Sequence, residues 1–168
     1  MSGLTLEQVK QWLRYDTNDN DTALNIMLAA GKQWIERYTG HLLTEREVTE
    51  ALRAGQTYFD LRWKPFKPDS LSVAYVDSAF ASQEFEGASI FAIDDTYRVQ
   101  AASWPSGART VNLTYSAGYA NPEDIPDVFA LALALWSGMS DLDRSALSED
   151  GKSAIHFLLE DYHCPVLA

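Results

Sequence analysis

The sequence is short of the residues that carry most protein chemistry. It holds one cysteine, Cys164, and three histidines, His41, His156 and His163, in 168 residues. A single cysteine excludes an internal disulfide framework and a cysteine-rich zinc site, and points to a reducing compartment. None of the histidines lies in an HExxH pattern or at metal-ligand spacing, and the nine glycines are scattered, with no Walker A loop and no GxGxxG. Positive charge is scarce as well: 13 Lys and Arg against 24 Asp and Glu leave a net charge of -11. That argues against gripping phosphates, which needs clustered Lys and Arg to release counterions. The longest apolar run falls far short of the roughly 20 residues that span a bilayer. The opening MSGLTLEQVK has no basic segment followed by an apolar one, so no signal peptide is expected and the protein should be soluble and cytosolic where it is made.

Candidate catalytic groups are correspondingly few. Ser116 stands in YSAGY, which lacks the first glycine of a nucleophile elbow. The acidic pairs Asp94/Asp95 and Glu149/Asp150 have the spacing of turn and helix-start residues, where carboxylates are solvated or capping. Cys164 precedes Pro165 with no neighbouring motif, and reads as an incidental thiol. In DTNDND, Asp16, Asn18 and Asn20 match the first three ligand positions of an EF-hand loop, but Asp21 replaces its glycine and Met27 its bidentate glutamate. A helix-capping turn is the better reading. No catalytic residue, cofactor-binding residue or metal ligand is assigned, and no enzyme is expected.

What the chain does have is apolar residues, 46% of the total, enough for a real core in one domain spanning residues 1–168. The stretch from Val111 to Trp136 is its centre. Val111, Leu113 and Tyr115 alternate with Asn112 and Thr114, the period of a half-buried strand. After Gly118 and a polar turn, Pro126 between Asp124 and Asp127 suits the first turn of a helix. Nine unbroken apolar residues, Val128 to Trp136, follow. Ala and Leu are strong helix formers, and a helix apolar all round must be covered on most sides, which makes this helix the expected hub of the core.

Around it, Thr5 and Gln8 form a capping box for a short helix that carries Leu6, Val9 and Leu13 inward. A second helix should run from Asp21 to Thr39 on a stripe of Leu24, Met27, Leu28, Gly31, Ile35 and Tyr38, with Trp34 at its edge and Gly40 as C-cap. Between Leu43 and Ser116 short runs suggest strands at 46–51, 57–61, 71–76, 90–93, 97–100 and 110–116, with Asp94 and Asp95 at a hairpin turn. After Trp136, Gly138 and a polar linker from Ser140 to Ser148 should separate the hub from a last helix, whose inward stripe is Ile155, Leu158, Leu159 and Tyr162. The fold class is α+β: a small bundle of about four helices with an inserted set of short antiparallel strands, a modest sheet or a pair of hairpins packed on helices. The apolar end, Cys164 to Ala168, lies beyond the last helix; such a tail either docks into a partner or folds back on its own domain.

Two segments resemble the head-tail connector, or adaptor, proteins of long-tailed bacteriophages, prophages and gene transfer agents. Leu4 to Leu43 is similar to that family's opening of a short helix ending in Leu-Arg, an Asp-rich turn and a long helix ending in Tyr-Thr-Gly. Ser103 to Trp136 is similar to its Trp-Pro, a strand reaching Ala-Gly-Tyr, and Asp-x-Pro opening a helix. The resemblance implies a structural virion protein: a ring, usually of about twelve subunits, bound beneath the portal, extending the DNA channel and offering a platform to the next head-completion or tail protein. It implies that DNA passes through without specific binding, that no cofactor or membrane is involved, and that the protein moves from the host cytoplasm to the head-tail junction of the virion. A C-terminal segment of the family docks on the portal, a role that would fall here on Tyr162, His163, Cys164, Pro165, Val166, Leu167 and Ala168. The negative charge would then line the channel so that DNA slides without sticking, or simply keep the free subunit soluble. A different class, an acidic DNA mimic that blocks a host nucleic-acid-binding protein, is suggested by charge alone and weakened by the scatter of the acids along the chain.

Overall fold

In a computed structural model, residues 5–93, 96–142 and 149–163 are described. The chain divides into two compact units: residues 1–44 with 119–168, and residues 45–118 inserted between them. The first is helical, the second built of strands, which is the α+β arrangement expected.

The helical unit holds α1 (Leu6–Leu13), α2 (Asp21–Thr39), α3 (Asp127–Leu142) and α4 (Glu149–Leu158). The capping box of α1 is formed: the Thr5 hydroxyl accepts from the Gln8 amide, and the Gln8 side chain accepts from the Thr5 amide at 2.9 Å. Arg14 closes the helix in the left-handed region, φ 58°. α2 ends on Gly40, φ 73°, a conformation that costs glycine nothing. The residues around this end satisfy one another. The buried Thr39 hydroxyl donates to the Ile35 carbonyl at 2.8 Å and accepts from the His41 amide at 3.1 Å, while the Glu36 carboxylate accepts from the Leu43 amide at 3.0 Å.

α3 touches each of the other three helices, as a hub should. Phe129, Ala132 and Leu133 are buried in one cluster with Val9, Leu24, Leu28, Ile35, Ile155 and Leu159, whereas Leu131 is exposed. Contact with α2 is close at Gly31, where an added Cβ would stand 2.7 Å from both Leu133 and Trp136 side-chain atoms. The helix starts one residue past Pro126, and it does not stop at Trp136. It runs on to Leu142, so Ser140, Asp141 and Leu142, expected to open a polar linker, are helical, and the rest of that linker, residues 143–148, lies outside the described residues. Ser137 is buried and donates back to the Leu133 carbonyl at 2.9 Å, which removes its reason to end the helix. Gly138 continues it beside Leu13.

The strand unit has two antiparallel sheets. In the first, the order is β1 (Arg46–Arg53), β7 (Thr110–Ala117), β3 (Ser72–Val76), β4 (Ser82–Glu84); in the second, β2 (Tyr58–Asp60), β6 (Thr96–Ala101), β5 (Ala88–Ile93). β7 lies centrally and shows the expected alternation, with Val111, Leu113, Tyr115 and Ala117 all buried and the residues between them half-buried. Five of the remaining strands fall where expected within two residues at each end. β4, sequence SQE, is additional: it is wholly polar and exposed, so no apolar alternation announces it. The hairpin turn at Asp94 and Asp95 lies outside the described residues.

Candidate docking site at the C-terminal end

α4 delivers the chain to its last segment. Ile155 and Leu159 are buried in the bundle, and one short 3-10 turn, Glu160–Tyr162, follows. The Tyr162 amide donates to the Leu159 carbonyl at 3.0 Å and the His163 amide to the Glu160 carbonyl at 3.1 Å. Both side chains then turn onto the bundle. The Tyr162 ring meets Phe129 at 4.9 Å and the His41 ring at 5.5 Å, and the His163 ring meets Tyr38 at 4.7 Å. His156 reaches the same tyrosine at 4.8 Å and Trp34 at 5.3 Å, while Trp34 stacks on Tyr38 at 5.2 Å and on Trp136 at 5.3 Å. Edge-to-face and offset pairs of this kind add about 0.5 to 1.5 kcal/mol each beyond burial.

Of the seven residues marked for docking, Tyr162 and His163 are therefore held on the helical unit, and Cys164, Pro165, Val166, Leu167 and Ala168 lie outside the described residues. The Tyr38 and Trp34 rings are the surface on which the end of α4 rests.

The other candidates are placed as structural groups. Ser116 sits in β7, its amide donating to the Ser70 hydroxyl at 2.8 Å and its carbonyl accepting from the Lys67 amide at 3.1 Å. His41 is buried, with its Nδ1 3.2 Å from the Thr39 carbonyl. In the Asp-rich turn the Asn20 side chain makes no capping bond. The nearly buried ammonium of Lys10 organises the turn instead, 2.9 Å from the Asp21 carboxylate and bonded to Asn18 Oδ1. A lysine cation thus occupies the acidic loop that a calcium reading would fill. Among the described residues, no group of three or more His, Cys, Asp or Glu is placed to hold a metal ion, and no helix is long and apolar enough to cross a membrane.

Three polar arrangements in the strand unit had no signal in the sequence, because each joins residues distant along the chain. Glu50 accepts from the Tyr115 hydroxyl and from the Arg62 amide at 3.1 Å. Arg98 grips Asp60 through two bonds, 2.6 and 2.9 Å, and lies 3.7 Å over the Tyr58 ring; the hydrogen bond to Asp60 raises its pKa. Arg109 lies 4.7 Å over the ring of Phe80, which is 74% exposed.

Comparison with known proteins supplies the context for these features. Residues 4–81 match the family model described as phage gp6-like head-tail connector protein. Among solved structures, a chain in the neck of an empty GTA particle, computed with C6 symmetry, is similar at 21% identity and a TM-score of 0.77, covering 99% of this chain and 92% of that one. A chain in the virion of a native gene transfer agent particle is similar at 22% identity and a TM-score of 0.74, with the same coverage, 99% and 92%. A chain in the neck of a native GTA particle, computed with C12 symmetry, gives 21% identity and a TM-score of 0.70 over 95% of this chain and 90% of that one. No curated protein matches.

Proposed function

We propose that this chain, whose residues 4–81 match the phage gp6-like head-tail connector family, is a structural virion protein that forms a ring beneath the portal. The ring extends the DNA channel at the head-tail junction and presents a platform for the next head-completion or tail protein. The observation that carries this reading is the likeness of nearly the whole chain, both units included, to proteins of gene transfer agent necks. The symmetries of those necks, C6 and C12, are both compatible with twelve copies. Ring closure needs heterologous contacts, in which two different surfaces of one subunit meet.

In this reading residues 1–168 work as one connector domain, assembled in the host cytoplasm and then carried in the virion. The segment from Tyr162 to Ala168 is its portal-docking tail. Tyr162 and His163 support that role as an anchor: their rings fix the point from which Cys164 to Ala168 depart. DNA passes through the lumen without being gripped, in keeping with a net charge of -11.

The test mixes purified full-length protein with portal rings and views the product by electron microscopy. A stacked ring is expected, and it should be lost when Cys164 to Ala168 are deleted. Absence of any stack with the full chain rejects the ring reading, and undiminished stacking by the truncated chain rejects the tail as its anchor.

A further inference from the structure

The tip of the hairpin joining β3 to β4 is built rigidly around one exposed aromatic ring. The Asp77 carboxylate accepts from the amides of Ala79 at 2.8 Å and Ala81 at 3.0 Å, the Asp77 amide donates to the Ala81 carbonyl at 3.0 Å, and the Phe80 amide donates to the Asp77 carbonyl at 3.1 Å. Phe80 is held in this tip at φ 62°, a left-handed conformation that a bulky residue avoids. Glycine or asparagine would fit that backbone more easily, and neither would bring an aromatic ring to the surface. Strain of this kind, retained at an exposed position, marks a site where the side chain is used.

The ring is not alone. The guanidinium of Arg109 lies 4.7 Å from its centroid, and the Arg109 backbone is fixed on both sides, its amide donating to the Val76 carbonyl at 2.8 Å and its carbonyl accepting from the Ala54 amide at 3.1 Å. Phe80 and Arg109 therefore form a preorganised knob, apolar at the centre and positive at the side. Aromatic and arginine anchors of this type dominate binding energy at interfaces.

The chemistry of the knob selects an acidic partner with an exposed apolar contact, and this chain carries such a surface. Phe157 on α4, 77% exposed, is followed by the exposed carboxylates Glu160 and Asp161. Copies that each carry a net charge of -11 repel one another in general. A contact between them gains most where one contributes a cation. Resting on the ring reading above, we propose that the Phe80 and Arg109 knob of one subunit docks on the Phe157, Glu160 and Asp161 surface of a second copy. The two surfaces differ, so the contact is heterologous and propagates around a closed ring.

The test places a photoreactive benzoylphenylalanine at position 80, an aromatic replacement that keeps the knob, and mixes isotopically labelled with unlabelled full-length chains before assembly on portal rings. Irradiation should link position 80 of one copy to the peptide around Phe157 of another. Rings that form but link position 80 only to the portal, only within one chain, or to nothing overturn the interface while leaving the connector reading standing; failure of the unmodified chain to stack on portal rings overturns that reading itself. A second arm uses charge. Arg109→Glu should lower ring occupancy on portals at least tenfold, and the added pair Glu160→Arg with Asp161→Arg should restore most of it. Full occupancy with Arg109→Glu alone sinks the proposal.

Discussion

The hydroxyl of Tyr115 on β7 donates to the carboxylate of Glu50 on β1, a diagonal pairing across the sheet, since Val48 lies opposite Tyr115 and Glu50 opposite Leu113. The same phenolic oxygen accepts from the Trp63 amide at 3.1 Å, so one buried side chain ties the loop after β2 to the sheet. Tyr115→Phe leaves the Trp63 amide without that acceptor. It should cost about 1 to 3 kcal/mol in urea unfolding.

Burial, and then the hydrogen bond to Glu50, push the Tyr115 pKa above its ordinary value. The folded protein therefore holds this proton more tightly than the unfolded chain does. Its contribution to stability is fully present below about pH 10, where a free tyrosine begins to ionise, and is lost as pH rises beyond that. The stability difference between the native protein and Tyr115→Phe should accordingly narrow above about pH 10. A gap that stays constant through that range shows that the phenol does not contribute in this way.

Gly31→Ala tests the close approach of α2 and α3. Alanine gains about 1 kcal/mol of helix propensity over glycine, but its Cβ would stand 2.7 Å from Leu133 and Trp136 atoms, an overpacking that costs about 1 to 3 kcal/mol. A net loss, read as a lower melting temperature, is expected. A rise in melting temperature would mean the helices separate freely.

Lys10→Met keeps the buried stem and removes the ammonium that faces Asp21 and Asn18. The loss should be about 1.5 to 3 kcal/mol, the range for hydrogen bonds to charged groups. Adding Asp21→Asn should recover part of that loss, because the stranded carboxylate is gone. Strict additivity in a double-mutant cycle would show the pair to be uncoupled.

The acidic surface has a test of its own. Single reversals to lysine at the exposed residues Glu47, Glu86 and Glu123 can be scored for ring attachment and, separately, for DNA ejection from assembled particles. Reversal at a position facing the channel should slow ejection with attachment unchanged, since a new cation can hold phosphate. Ejection unaffected at every such position leaves solubility as the role of the charge.

The sequence was most legible where local physics decides the outcome. α2 runs from Asp21 to Thr39 as its apolar stripe and terminal Gly40 indicate, the Thr5 and Gln8 box closes, and β7 alternates residue by residue. It was least legible where distant residues decide. The buried ammonium of Lys10 answers a turn eight residues on, Ser137 and Gly138 stay helical because of how their neighbours accommodate them, and β4 exists because Tyr75 and its neighbours offer Gln83 and Ser82 an edge to pair with. Phe80 gives no sign in the sequence of its exposed, left-handed setting, because only the completed hairpin imposes it.

The Tyr119 amide donates to the Leu42 carbonyl at 3.2 Å, so the chain leaves the helices and comes back to them at adjoining points. A segment hung from such a closed doorway can be lengthened, shortened or exchanged for another while the helices keep their own register. Selection is thereby free to refit the inserted strands to new partners without rebuilding the helices.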